Sequence, residues 1–176
     1  MVSENKAIES ALLSAAEEIC LAAKTAPKAC GKDSILTAIL TGEEIMRLAE
    51  CMDEIGANPD KLSPIFSRDA ALLRNCGAVV LIGEKRIVRA LNCGLCGRKT
   101  CADCIAEGGH CAFDDIDLGI ALGSAASIAA DKRIDNRILY TAGTAAMKLR
   151  LLGDSTATII ALPLCASERN QFFLRT

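Results

Sequence analysis

Five cysteines lie close together in the middle of the chain, in the stretch NCGLCGRKTCADCIAEGGHC. Their spacing is C-x2-C-x4-C-x2-C-x6-C, and cysteine thiolates are ligands for metal ions and for iron–sulfur clusters. Structural zinc commonly uses two C-x2-C pairs separated by roughly 12 to 20 residues, whereas four residues leave little chain to place the second pair opposite the first. The spacing therefore predicts an iron–sulfur cluster, with a zinc site or a metal-free cysteine cluster as alternatives. The five residues are Cys93, Cys96, Cys101, Cys104 and Cys111.

Two ferredoxin spacings overlap within this stretch. Cys96-x4-Cys101-x2-Cys104 is the plant-type [2Fe–2S] spacing. The run CGLCGRKTC resembles the C-G-x-C-G-x-x-x-C core of the [4Fe–4S] domain in the large subunit of corrinoid iron–sulfur proteins. That resemblance implies that Cys93, Cys96, Cys101 and Cys111 are the ligands. Cys104 follows Cys101 by about one helical turn and is the alternative to Cys111, a choice that the sequence leaves open.

Length, charge and hydropathy restrict the remaining functions. The chain has 176 residues, with 20 Lys+Arg against 22 Asp+Glu and one histidine, so its size is that of one domain. The absence of a basic run argues against nucleic-acid binding. The longest strongly apolar stretch, residues 118–130, is shorter than the roughly 20 residues of a membrane span. The first residues lack the apolar segment of a signal peptide, so we expect a cytoplasmic protein without a membrane partner.

The pattern of apolar residues predicts alternating helices and strands around the cysteines. No linker or repeat divides the chain, so we expect a single domain, residues 1–176, with a cysteine-rich module at residues 92–112. Capping by Asp114 or Asp115 is expected to start the helix after the module, and His110 is interpreted as a solvated loop residue. Helices are predicted over residues 3–25, 42–55, 67–75, 114–130 and 143–152, and strands over 34–40, 78–83, 137–141 and 156–164.

Four segments carry a resemblance that extends over nearly the whole chain. They are AAKTAPKACGKDSI, CGLCGRKTCADC, DLGIALGSAASIAADKRIDNRILYTAGTAAMKLRLLG and LPLCASERNQFF. Together they resemble a family of uncharacterised prokaryotic proteins described as containing a ferredoxin domain. The resemblance implies an iron–sulfur redox or electron-transfer protein. Its electron acceptor, a redox partner protein or a small molecule, is unknown.

A second resemblance is to FMN-dependent nitroreductases, whose first helix runs into an A-P-S-x-x-N turn. Residues 26–31, APKACG, and the later helix of small residues follow that pattern. The resemblance implies an α+β fold, a nitroreductase-like α/β sandwich with an inserted iron–sulfur module, and a homodimer with FMN at its interface. Nitroreductases hold the FMN phosphate with arginines or lysines near the N-terminus, but the first arginine here is Arg47. The substitutes that this chain offers are Lys24, Lys28, Lys32 and Arg169, with Cys30 beside the flavin ring.

The sequence is compatible with three functions. The first is an electron-transfer protein with one cluster, and the second is a flavin-dependent oxidoreductase coupled to that cluster. The third is a non-redox module in which zinc fixes the cysteine-rich loop. No catalytic residue is identified. The small residues of helix 115–130 and the apolar tail at residues 171–174 predict a homodimer.

Overall fold

A computed structural model describes residues 1–58 and 63–173, and these form an antiparallel sheet of four strands in the order β1-β2-β4-β3. The central strands β2 and β4 pair from Ala78 opposite Leu164 to Lys85 opposite Thr156, with a register shift between Glu84 and Lys85. Both are runs of β-branched and other apolar residues, which favour extended backbone. The strands are β1 (Ile35–Leu40), β2 (Ala78–Lys85), β3 (Asp135–Asn136) and β4 (Thr156–Cys165).

Helices cover both faces of the sheet, so the molecule is a three-layer sandwich. Helices α1 and α5 pack on one face, and α2, α3 and α6 pack on the other. In the described part of the chain, no helix has the length and apolar character needed to cross a membrane. The helices are α1 (Glu4–Thr25), α2 (Glu43–Gly56), α3 (Ser63–Leu73), α4 (Cys101–Ala106), α5 (Ala112–Asp131) and α6 (Tyr140–Lys148).

The alternation of side chains along β2 divides the core between the two faces. Val79 and Leu81 point towards α2, α3 and α6, whereas Val80 and Ile82 point towards α1 and α5. Because side chains alternate with a period of two, Glu84 lies on the same face as Val80 and Ile82. A carboxylate on an otherwise apolar strand is thereby buried near the start of α5.

The predicted strand over residues 137–141 is wrong. Leu139 forms a single antiparallel bridge with Ala161, and α6 begins at the next residue, Tyr140. The Thr141 hydroxyl donates a hydrogen bond of 2.8 Å to the buried carboxylate of Asp69. Arg68 donates to one oxygen of that carboxylate, and Thr141 satisfies the other, so a tertiary contact that local β-propensity does not reveal favours the helix.

Helix α6 lies unusually close to β4 at Gly143. A Cβ atom at this position would lie 1.9 Å from the backbone oxygen of Ile159 and 2.7 Å from its carbonyl carbon. Neither backbone atom can move without disturbing the centre of the sheet. Glycine at position 143 is therefore required for the packing of this layer.

We expect Gly143→Ala to reduce the free energy of unfolding by at least about 2–3 kcal/mol, because the added methyl group overpacks the interface. Urea unfolding followed by circular dichroism measures the change. Thr144→Ala is the matched control, since Thr144 is the next residue of α6 and is exposed, and its effect should stay within about 0.5 kcal/mol. Equal stability of the two variants would contradict the close approach.

Candidate functional site

The structure brings all five clustered cysteines to one small pocket, called here the cysteine pocket. Three segments supply them: the loop after β2 carries Cys93 and Cys96, α4 carries Cys101 and Cys104, and Cys111 is the N-cap of α5. Val88, Asn92 and Thr100 complete much of the remaining wall. Residues close in sequence thus form one pocket lined by five thiols.

Local hydrogen bonds close the loop that carries Cys93 and Cys96. The Asn92 side-chain oxygen accepts a 2.7 Å hydrogen bond from the Cys101 N–H, and the Asn92 N–H donates to the Cys101 Sγ at 3.3 Å. Thr100 and Asp103 form a capping box that starts α4. Because α4 begins at Cys101, Cys104 lies about one turn later and faces the same pocket.

Gly109 and Arg98 shape the wall beside Cys104. A Cβ atom on Gly109 would lie 3.1 Å from the Cys104 Sγ and 3.2 Å from the Arg98 Cζ, so a larger residue would crowd both. The Arg98 guanidinium donates to the Cys96 carbonyl at 3.1 Å and pairs with Glu107 at 3.0 Å. A cation is thus held next to thiols that become anionic when they bind a metal centre.

The five thiols differ in exposure. Cys104 and Cys111 are buried, Cys96 and Cys101 are half-buried, and Cys93 is exposed. Burial, followed by a hydrogen bond with Cys96, raises the pKa of the Cys104 thiol. The lining residues of the pocket include no carboxylate and no imidazole. This sulfur-only donor set fits an iron–sulfur cluster or a thiolate-bound zinc ion, and because Cys104 and Cys111 both line the pocket, each is available as the fourth ligand.

A buried ion network lies directly behind the pocket. Arg89 is 2% exposed, and its guanidinium contacts Asp117 at 2.5 Å and Asp114 at 3.4 Å. It also donates to the Ser34 hydroxyl at 3.2 Å. The Ile87 N–H donates to Asp114. The network therefore fixes the chain that leads from β2 into the cysteine module against the first two turns of α5.

The predicted capping role of Asp114 or Asp115 is wrong. Helix α5 begins at Ala112 with Cys111 as its N-cap, so both aspartates lie inside the first turn. Asp114 and Asp117 are each 1% exposed and face the protein interior. Asp114 and Asp117 are three residues apart, on the helix face that also carries Leu118 and Ala121. Because charged residues on a buried face require partners, this spacing is the feature of the sequence that predicts a buried ion pair.

Three further side chains meet next to Cys111. The carboxylate of Glu84 is completely buried, with its Oε1 3.5 Å from the His110 Nε2, and the Asp115 Oδ1 lies 3.2 Å from the same nitrogen. Burial, with the nearby charges of Asp114 and Asp115, raises the pKa of Glu84 to about 7. His110 thus contacts two carboxylates, in contrast to the solvated residue expected from the sequence.

The structure separates the residues proposed to bind flavin. The Lys28 ammonium group donates to carbonyls at the end of α1, and burial lowers its pKa. Cys30 is exposed and has a φ of 56° in the short turn Ala29–Gly31, and Lys32 is exposed nearby. Arg169 follows β4 at the opposite end of the sheet, roughly 30 Å away by the length of that strand. Within one chain, Arg169 therefore does not meet the other three residues.

The turn that contains Cys30 is nevertheless connected to the region of the cysteine pocket. The N–H of Ala29 donates to both carboxylate oxygens of Asp117, at 3.0 and 3.2 Å. Asp117 lies six residues after Cys111 on α5, which corresponds to about 9 Å along the helix axis. The proposed flavin-facing turn and the cysteine pocket are therefore both attached to the first two turns of α5.

Comparisons with known proteins identify the family of this chain and its fold. A family of uncharacterised proteins containing a ferredoxin domain matches residues 107–175. An uncharacterised protein of Archaeoglobus fulgidus is 39% identical over 182 residues, which span 98% of this chain and 94% of that protein.

Among solved structures, an FMN-bound nitroreductase from Desulfitobacterium hafniense has a TM-score of 0.60 at 18% identity, covering 97% of this chain and 81% of its own. The FMN-dependent nitroreductase from Mycobacterium smegmatis has a TM-score of 0.61 at 11% identity, covering 89% and 78%. At these identities the likeness shows the fold, so the expected α+β, nitroreductase-like sandwich is confirmed.

We expect Arg89→Gln to lower the free energy of unfolding by about 3–5 kcal/mol, because Asp114 and Asp117 would stay buried without their cation. Urea unfolding of the purified protein measures the loss. Arg86→Gln is the control, since Arg86 lies three residues earlier in the same loop and is exposed, so its effect should be within about 0.5 kcal/mol. An Arg89→Gln protein as stable as the control would show that the network contributes little.

Proposed function

Because the chain belongs to the family of uncharacterised proteins that contain a ferredoxin domain, we propose that it is an electron-transfer protein with a [4Fe–4S] cluster in the cysteine pocket. The observation that carries the proposal is the convergence of five thiols, from a loop, α4 and the start of α5, on one pocket whose lining residues include no carboxylate and no imidazole. Cys93, Cys96 and Cys101 are proposed as three ligands, with Cys111 as the fourth and Cys104 as its alternative.

The protein's own residues supply the environment of that centre. When bound, an iron–sulfur cluster accepts and donates single electrons. Arg98 places a positive charge beside Cys96, which partly offsets the negative charge of the thiolates. Cys104 and Cys111 are both buried, at 1% and 8% exposure. Hydrogen bonding and burial of this kind set the potential of a cluster.

The opposite side of the pocket is open to a redox partner. Cys93 is exposed, and so are three apolar side chains: Leu91, just before the cysteine-rich module, and Leu95 and Ile105 within it. Isolated apolar side chains are common on surfaces, but a group beside a redox centre suits the transient, partly apolar contact of an electron-transfer complex. We propose that the electron donor or acceptor docks here.

Protein isolated without oxygen should contain iron and acid-labile sulfide and should absorb visible light. Cys96→Ala and Cys101→Ala should abolish both, because these residues belong to every ligand set considered. Cys20→Ala is the control, since Cys20 lies half-buried in α1, away from the pocket, and it should retain the cluster. Stoichiometric zinc without sulfide in anaerobically prepared protein would instead favour the zinc-fixed module.

The same measurements identify the fourth ligand. On the proposed assignment, Cys111→Ala loses iron and sulfide, whereas Cys104→Ala keeps them. The reverse pattern would transfer the ligand role to Cys104. Loss in both variants would mean that the two buried thiols support one another structurally.

A flavin-dependent oxidoreductase coupled to the cluster is the second candidate. The nitroreductase-like fold supports it, as does the link between the Cys30 turn and α5 through Asp117. The Lys28 ammonium is already engaged by carbonyls of α1, so Lys32 is the better placed of the two lysines for a flavin phosphate. Arg169 would reach such a site only from a second subunit.

That requirement accords with a homodimer, which we propose as the assembly of the flavin-binding form. Helix α5 exposes Ile116 and Ile120, and among the described residues no side-chain atom lies within 4 Å of where a Cβ atom on Gly119 or Gly123 would stand. In the tail, Phe172 is buried within the chain and Phe173 is exposed, whereas Leu174 lies outside the described residues. A monomer in light scattering at micromolar concentrations would contradict this assembly.

If flavin binds here, Lys32→Ala should weaken FMN affinity at least about tenfold, because one charge-assisted hydrogen bond to phosphate contributes roughly 1.5–3 kcal/mol. Quenching of flavin fluorescence during titration of FMN into the protein measures the affinity. Lys132→Ala is the control, since Lys132 pairs with Glu18 at the far end of α5. Unchanged affinity in Lys32→Ala would place the phosphate elsewhere, and no binding at millimolar FMN would leave the cluster as the sole redox centre.

A further inference from the structure

A second group of possible ligand atoms lies beside the cysteine pocket and contains no sulfur. Glu84 on β2, His110 in the loop before α5, and Asp115 in the first turn of α5 place one oxygen or nitrogen atom each within 4.8 Å of one another. The three residues come from three different segments. Neither the ferredoxin-type pattern nor the fold requires them.

The buried atoms of this group lack the partners that buried polar atoms normally have. In the described residues, both carboxylate oxygens of Glu84 and the Nε2 of His110 are buried without a hydrogen-bond partner. Nearly all buried polar atoms in proteins are hydrogen-bonded, and an unpaired buried carboxylate is particularly unfavourable. One oxygen of Glu84, the His110 Nε2 and one oxygen of Asp115 lie within 4.8 Å of one another, so a cation that accepts their lone pairs would supply the missing partner.

The charge around this point has the sign that attracts a cation. Glu84, Asp114 and Asp117 are three carboxyl groups with almost no exposure, and Arg89 is the cation that pairs with two of them. The exposed carboxylate of Asp115 adds to the negative side.

We propose that Glu84, His110 and Asp115 bind a divalent first-row transition-metal ion such as Mn²⁺, Fe²⁺ or Zn²⁺. One imidazole nitrogen and two carboxylate oxygens form a borderline to hard donor set, which suits these ions and differs from the thiols of the cysteine pocket. Three protein ligands leave positions open for water or a substrate, as in catalytic metal sites.

The distances agree with a shared ion. Bonds of about 2.0–2.2 Å from a metal to nitrogen or oxygen place neighbouring ligand atoms roughly 2.8–3.1 Å apart in octahedral geometry and roughly 3.3–3.6 Å apart in tetrahedral geometry. The observed separations from the His110 Nε2 are 3.5 Å to Glu84 and 3.2 Å to Asp115. His110 directly precedes Cys111, and Asp115 lies one helical turn after it, so the ion would be a close neighbour of a cluster in the cysteine pocket.

Titration of the full-length protein with Mn²⁺ alone, after EDTA treatment and buffer exchange, tests this site. The electron paramagnetic resonance signal of free hydrated Mn²⁺ reports how much ion remains unbound. We expect one Mn²⁺ per chain. Glu84→Gln and Asp115→Asn should each weaken binding by more than about tenfold, because even residues that only support metal ligands contribute 10–100-fold to affinity.

Two controls keep the result specific. Glu54→Gln removes an exposed carboxylate that pairs with Lys148 on the other face of the molecule and should bind Mn²⁺ as the parent does. Cys96→Ala should also retain Mn²⁺ even if it loses iron and sulfide, so failure of this site and failure of the electron-transfer proposal are distinguishable. Thermal unfolding in EDTA checks that Glu84→Gln is folded.

Three results would overturn the proposal. The first is absence of binding to the parent protein at millimolar Mn²⁺. The second is equal binding by folded Glu84→Gln and the parent. The third is loss of Mn²⁺ in Cys96→Ala, which would place the ion in the cysteine pocket.

Discussion

The buried guanidinium of Arg89 is the interaction on which the functional region depends. It contacts Asp114 and Asp117 of α5 and the hydroxyl of Ser34, which immediately precedes β1. Asp117 in turn accepts a hydrogen bond from Ala29 in the turn after α1. Charges at this depth are tolerated only when they are paired, so the four segments can pack together only in the arrangement that satisfies Arg89. The cysteine pocket and the Glu84 group are both built on the ends of those segments.

The elements predicted correctly from the sequence are those with a long and regular pattern of apolar side chains. The strands predicted at residues 78–83 and 156–164 lie within β2 and β4, and the helix predicted at 3–25 differs from α1 by one residue. These elements pack against the core, and their burial produces the long apolar patterns that the sequence shows. The convergence of the five cysteines also followed from spacing, since few residues separate them and a short chain cannot carry them far apart.

The features that the sequence did not reveal depend on contacts in the folded chain, some between distant residues and others between neighbours brought together by the local backbone. Residues 137–141 have the composition of a strand, but Asp69, about seventy positions earlier, holds Thr141 in α6. Lys28 looked available for an anion, whereas the carbonyls at the end of α1 engage its ammonium group. Glu84 lies next to His110 and Asp115, which belong to other elements of the fold. Neither local propensity nor motif spacing predicts that these three residues meet.

The hydrogen bond from Ile87 to Asp114 spans 27 positions and joins the two ends of the cysteine module. Closing a flexible loop of that length carries a length-dependent entropic penalty of about 3 kcal/mol. In this protein the packing of β2 against α5 offsets that penalty, and the hydrogen bond from Ile87 to Asp114 involves no cysteine side chain. The two ends of the module are therefore joined by a contact that requires no metal centre. If the proposed cluster binds in the cysteine pocket, its removal should leave the sandwich folded and able to accept a cluster again.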